Sequence, residues 1–264
     1  MSDFLHAMNT LDINWLNLAI DSVIFLIPVF ILRYFKTGLF KPMLFAILRM
    51  YVQLFFLGFY LKFVFEYNQL WLSFLWILIM IVVAGFSTAK RSELPWRRFI
   101  GVLILSIAIS SLYGISLFIF SLNTSSPLDA RVFIPIAGIF IGNCLSSSII
   151  GLRTFYKNLI GNMERYKYNL ILSGNIKESV FPFMSEAFKA AFGPSVANTA
   201  TIGIIWLPGI MTGQILAGSD PSLAIKYQIL IMLSILSGGI LTVFLNIFFS
   251  IKFVFDEYSM PNIS

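Results

Sequence analysis

Two stretches of this chain carry the side chains that could contact a polar solute. Residues 132–148 read VFIPIAGIFIGNCLSSS, an apolar run whose second half holds Asn143, Cys144, Ser146 and Ser147. Residues 198–214 open with Asn198 and Thr199, pass through Pro208 and Gly209, and end with Met211 and Gln214. Lipid disfavours such side chains, so each group either packs against neighbouring helices or lines a pathway. Pro208 and Gly209 would free backbone groups in mid-run, which makes that position a candidate hinge. Gly209 and Gly213 also form a G-x-x-x-G spacing suited to close helix contact.

Two ionisable positions fall inside other apolar runs. Asp21 lies about 12 Å from the start of its helix at 1.5 Å per residue, placed either as a cavity-facing ion site or as a carboxylate bonded between helices. Arg49 and Gln53 share one helix face, one turn apart, and Arg49 is about 9 Å in from residue 43, close enough to reach the interface. Arg49 therefore either snorkels or pairs structurally, or it serves a transport pathway.

Catalytic chemistry finds little support. The single histidine is His6, near the N-terminus, which excludes Ser-His catalysis and an H-E-x-x-H zinc site within the apolar runs. There is no G-x-S-x-G, and Asp21 has no acidic neighbour at helical spacing. The absence of G-x-x-x-x-G-K-[ST] means that any ATP chemistry must come from another chain. Cys144 is the sole cysteine, so neither an intrachain disulfide nor a Cys-based zinc site is available. Met211 and the other methionines read as gap fillers or as isolated soft ligands, and no metal is assigned.

The elements that position these residues are set by lipid. Hydrophobic residues make up 58% of the chain and charged residues 11%, with a mean hydropathy of +0.88, so the chain is expected to be an all-α polytopic membrane protein. About seven spans are expected, near 13–32, 43–65, 70–88, 99–121, 132–152, 196–217 and 223–251. The first apolar run is long enough to span and is expected to stay in the protein, with no signal peptide before it.

Orientation follows from the basic residues between spans. Fourteen lie in alternate connections: Arg33, Lys36, Lys41, Lys90, Arg91, Arg97, Arg98, Arg153, Lys157, Arg165, Lys167, Lys177, Lys189 and Lys252. Only Lys62, Arg131 and Lys226 fall in the other set, so the positive-inside rule places the N-terminus outside and the C-terminus in the cytoplasm. The formal charge of +6 then marks loops at anionic headgroups rather than a nucleic-acid partner.

One connection is long. Residues 153–195 form a cytoplasmic segment with expected breaks at 173–175 and at Pro182. Leu159, Met163, Tyr166 and Leu170 recur every three or four positions, which predicts an amphipathic helix with a docked face. No internal repeat or soluble second domain is evident, so 1–264 reads as one membrane domain.

With these residues in view, the chain resembles the permease subunits of Fet-type bacterial iron-export ABC transporters, a family that includes plant aluminium-tolerance permeases. The resemblance is densest in IPIAGIFIGN at 134–143, in LPGIMTGQILAGSDP at 207–221 and in AIKYQI at 224–229, and Arg49, Gln53 and Gly58 also match. It implies a homodimer in the bacterial cytoplasmic membrane, bound to two copies of a separate ATPase that holds ATP and Mg, with no intrinsic cofactor. It also implies a coupling segment within 153–195, for which Tyr168, Ser173, Gly174 and Asn175 are the candidates. The stretch YNLILSG at 168–174 keeps the glycine of the common Glu-Ala-Ala, three residues, Gly pattern but lacks its glutamate and alanines. The function implied is export of iron or another small solute; the alternative is a membrane scaffold or sensor that transports nothing.

Overall fold

A computed structural model of the chain describes residues 14–67, 69–121 and 129–261. His6 lies outside these residues, as does the side chain of Asp21. The described residues form helices joined by short connections, with two isolated bridges and no strand. They divide into two compact units, residues 1–68 with 216–219 and residues 69–215 with 220–264.

The first unit contains α1 (Trp15–Ile24), α2 (Leu26–Tyr34) and α3 (Phe40–Tyr67). Pro28 explains the interruption at Phe25, because proline has no amide hydrogen to donate to the carbonyl of Ile24. Ser22 Oγ meets Tyr51 Oη at 2.5 Å, tying α1 to α3, and the Arg33 guanidinium lies 5.2 Å from the Phe40 ring. Arg49 and Gln53 are exposed on α3.

The second unit is a bundle of α4 (Leu70–Arg91), α5 (Trp96–Ser121), α6 (Ala130–Gly161) and α10 (Pro221–Val254), with α7 (Met163–Ser173), α8 (Ile176–Thr201) and α9 (Gly209–Leu216) between the last two. Helix starts are fixed by caps. Asp129 accepts from the amide of Arg131 at 2.8 Å, and Asp220 accepts from the amides of Ser222 and Leu223 ahead of a helix that begins on Pro221. At 32 and 34 residues, α6 and α10 run about 48 and 51 Å, well beyond a hydrocarbon core of about 30 Å. Their C-terminal turns therefore leave the membrane together, at the end that carries Lys90, Arg91, Arg153 and Lys157. α5 runs antiparallel to both.

Close approach is built from small residues. A Cβ on Gly85 would meet Ile104 Cγ1 at 2.6 Å, and one on Gly151 would meet Val243 Cγ1 at 2.8 Å, so α4–α5 and α6–α10 are seated at distances that only glycine allows. Beyond these contacts the core forms two apolar clusters. One lies at the basic end around Leu103, Leu152, Phe155 and Ile247, and the other around Ile77, Phe118, Phe140 and Ile231.

Six helical stretches among the described residues are long and apolar enough to cross a membrane: 16–34, 40–67, 70–91, 97–121, 130–161 and 221–254. The stretch expected as a continuous span over 196–217 is discontinuous. α8 ends at Thr201, residues 202–208 are irregular with Gly203 at φ 81°, and α9 follows with eight residues. α8 ends just ahead of Gly203, whose left-handed backbone turns the chain, and Pro208, which cannot donate to the carbonyl of Ile204, keeps the stretch between from continuing as helix. The break expected at Pro182 does not occur, since α8 runs through it. The carbonyl that loses its donor is that of Glu178, an exposed residue near the first turn, within reach of solvent.

Candidate functional site

α8 returns along α6 in the opposite direction. Asn158 Nδ2 donates to Glu186 Oε2 at 2.8 Å, and further along Phe192 packs beside Gly239 and Ser147. Asn198 and Thr199 lie about 9–10 Å beyond Phe192 at 1.5 Å per residue, which brings them to the depth of Asn143. The apolar part of α6 is bounded by Arg131 and Arg153, so Asn143 sits near the middle of the membrane. The end of α8 and the irregular residues 202–208 thus occur at the depth of Asn143 but on the surface of the chain, with residues 203–207 exposed, and at that depth backbone groups without helical partners are tolerated only against protein or water.

The polar run on α6 divides between two faces because successive residues turn by about 100°. Asn143 and Ser146 are exposed, and each bonds its own backbone: Asn143 Nδ2 donates to Ile139 O at 2.8 Å and Ser146 Oγ to Gly142 O at 3.1 Å. Cys144 points the other way. It is buried against Ser111 and Thr242, so it does not join Asn143 on the exposed face. Ser147 is half-buried beside Gly239.

On α8, Asn198 and Thr199 are exposed, and Thr199 Oγ1 donates to Ser195 O at 2.7 Å. Pro208 is buried and its carbonyl accepts from the amide and hydroxyl of Thr212 at 2.9 and 3.1 Å, which starts α9. Met211 is buried, and Gln214, one turn later, has a shielded Oε1 with no hydrogen-bond partner among the described residues. Among the described residues nothing lies within 4 Å of a Cβ placed on Gly209 or Gly213, so the G-x-x-x-G face is open there.

A second polar feature runs through the interior of the second unit. Asn246 Nδ2 donates to Ser148 Oγ at 2.8 Å, and Tyr156 Oη donates to Ser250 Oγ at 2.6 Å, joining α10 to α6. Gly238 faces the backbone of Ser110 on α5. Asn246 Oδ1, Ser106 Oγ and Ser110 Oγ are fully shielded without partners among the described residues. Asn246, Ser148 and Thr242 are not among the candidates named from sequence, although a signal exists: Ser234, Gly238, Thr242, Asn246 and Ser250 recur at every fourth residue, one ridge of α10.

At the basic end, α7 lays Tyr166 into the core, with Met163 and Leu170 packed beside it and Leu159 preceding it on α6, as the periodicity predicts. Tyr166 Oη donates to Ser259 O at 2.6 Å, and its ring centroid lies 5.7 Å from that of Phe255. The turn into α8 is held by Gly174 at φ 63° and by Ser173 and Asn175: Asn175 Oδ1 accepts from the amide of Lys177 at 2.9 Å. Ser173, Gly174 and Asn175 therefore shape the corner. The apolar surface offered outward belongs to Tyr168, Ile171 and Leu172, with Ile171 83% exposed.

The profile of an uncharacterised protein family, UPF0014, matches residues 15–255. The chain belongs to UPF0014. Among its relatives, the UPF0014 membrane protein YjkA of Bacillus subtilis is 33% identical over 233 residues, covering 87% of this chain and 90% of the relative. The probable iron export permease protein FetB of Escherichia coli is 30% identical over 235 residues, 89% and 90% of the two chains. The protein ALUMINUM SENSITIVE 3 of Arabidopsis thaliana is 28% identical over 190 residues, 72% and 68%. No solved structure matches. This UPF0014 chain is a multi-pass, all-helical membrane protein whose family includes a named permease.

Proposed function

We propose that this UPF0014 chain is the permease subunit of an ATP-driven transporter of the ABC class in the bacterial cytoplasmic membrane, working as a pair of copies with two ATPase chains. The observation that carries this reading is the discontinuous helix α8–α9, which breaks at the level of Asn143 and leaves residues 203–207 exposed there. A scaffold has no need of freed backbone groups and exposed amides at that depth. A pathway does, because carbonyls and half-helix ends can replace the hydration of a solute.

Asn143, Ser146, Asn198 and Thr199 would line that pathway or the contact with the second copy, and Pro208 and Gly209 would be its pivot. The open face of Gly209 and Gly213 suits close approach of another helix. Iron is the cargo suggested by the name of the E. coli relative. Among the described residues no three His, Cys, Asp or Glu cluster, so the oxygen donors of amides, hydroxyls and carbonyls would handle the cargo, either as a hard cation or within a chelate.

The ATPase would dock at Tyr168, Ile171 and Leu172. An apolar face in a solvent-facing segment marks a protein interface, and the Ser173 to Asn175 corner holds it rigid. The test is co-purification with the ATPase encoded beside this chain. Ile171→Glu with Leu172→Glu is expected to abolish capture and stimulated ATP hydrolysis, while Asn143→Leu retains capture. Capture unaffected by the double variant would refute the docking assignment; absence of any ATPase partner would refute the ABC class.

A further inference from the structure

We propose that the basic end of the second unit holds a built site for the phosphate of an anionic glycerophospholipid, formed by Arg153, Lys157 and Ser92. A cavity of about 380 Å³ opens there, between the connection after α4 and the last turns of α6. Leu94 and Ile160 supply its apolar wall, and Arg153 and Lys157, one turn apart on α6, supply its charge. Ser92 also lines it. That residue is 4% exposed, and its hydroxyl has no hydrogen-bond partner among the described residues, a buried donor left for a ligand.

The backbone at this point is unusual. α4 ends with the amide of Leu94 bonded to Ala89 O at 3.3 Å, which puts residue 93 in the left-handed conformation that glycine normally fills. Here it is Glu93, at φ 61°. Its side chain reaches α6: Glu93 Oε1 accepts from Arg153 Nη2 at 2.6 Å, which sets the guanidinium beside the cavity. Arginine has five donors in a planar fork, so the remaining ones stay available to a phosphate. Lys157 makes no ion pair among the described residues, and Lys90, Arg91, Arg97 and Arg98 add to the positive field around a cavity whose lining carries one carboxylate, Glu93.

Depth identifies the ligand. Arg153 is ten residues from Asn143, about 15 Å, and Lys157 about 21 Å, which spans the edge of a hydrocarbon core of about 30 Å total thickness. That is where lipid phosphates lie, and basic pockets at this level bind anionic headgroups. The inference stands apart from transport and holds whatever the cargo is.

The test uses the purified full chain in mixed micelles and native mass spectrometry, with phosphatidylglycerol and phosphatidylcholine as probes. The wild type is expected to retain one phosphatidylglycerol with about tenfold preference, and Arg153→Gln with Lys157→Gln to lose it. Arg97→Gln with Arg98→Gln is expected to keep it, as the preference belongs to the cavity rather than to diffuse charge. The single variant Lys157→Gln, an exposed position, is expected to weaken it partly and covers the case in which the double variant does not fold. Inorganic phosphate at millimolar concentration is expected not to displace the lipid. Displacement by phosphate, retained preference in the double variant, or equal loss in the Arg97/Arg98 pair would each overturn the proposal.

Discussion

Tyr166→Phe isolates the bond that ties α7 to the C-terminal turn. The hydroxyl donates to Ser259 O at 2.6 Å from a side chain with no exposed surface, and the turn it holds is closed by Asp256, which accepts from the amide of Met260 at 2.7 Å. Phenylalanine keeps the ring contact with Phe255 and removes only this bond, leaving the Ser259 carbonyl without its donor. The net loss is expected to be about 1–2 kcal/mol, which for a chain of this size lowers Tm by roughly 2–6 °C.

The same bond gives a pH signature. Burial, reinforced by the charge of Asp256, pushes the Tyr166 phenol up to about 12 from its ordinary value of 10. The folded state therefore holds a proton that the unfolded chain releases, so this contribution is complete below pH 10 and is lost as pH rises from 10 toward about 12. Melting curves in detergent at pH 8 and pH 11, with limited proteolysis of the tail, measure both effects. The variant is expected to melt lower at pH 8, to be cleaved sooner after α10, and to lose less stability between pH 8 and 11 than the wild type. Equal melting and equal pH dependence would show that the bond does not hold the turn.

Two further variants test the interior. Asn246→Leu removes a bond to Ser148 worth about 0.6–1.7 kcal/mol in a membrane but also removes the shielded, unpaired Oδ1, so thermal melting is expected to change by less than about 1 kcal/mol. A loss above 2 kcal/mol would mean that Oδ1 is satisfied in the membrane. Gly151→Ala is expected to destabilise by about 1–2 kcal/mol, since its methyl meets Val243 Cγ1 at 2.8 Å and valine has one favoured rotamer in a helix. Combining it with Val243→Ala should recover part of that loss in a double-mutant cycle, whereas strict additivity would place the two helices farther apart.

Much of the architecture is legible in residue order because lipid imposes simple rules. Hydropathy marks the long helices, and the stripe of Leu159, Met163, Tyr166 and Leu170 marks the docked face of the segment that follows α6. Pro208 marks the interruption of α8–α9. The continuity of α8 through Pro182 was not legible, because the cost of a helical proline depends on whether the freed carbonyl reaches solvent. Cys144 shows the same limit at the site. Its neighbours Asn143 and Ser146 share its run in sequence, yet helical rotation sends them to opposite faces, and only the packing of α5 and α10 decides which face is interior. The bond from Tyr166 to Ser259 joins residues 93 positions apart, and no local pattern announces such a pairing.

The transport pathway that we propose is formed by the discontinuous helix and the polar positions at its depth. Its most direct test is solute efflux from vesicles containing this chain and its ATPase, with iron as the first cargo, for the wild type, Asn143→Leu and Asn198→Leu. The pathway predicts efflux that requires ATP and falls at least tenfold in both variants while ATPase binding persists. ATP-dependent efflux that both variants leave unchanged, or no ATP-dependent efflux of any solute, would contradict it.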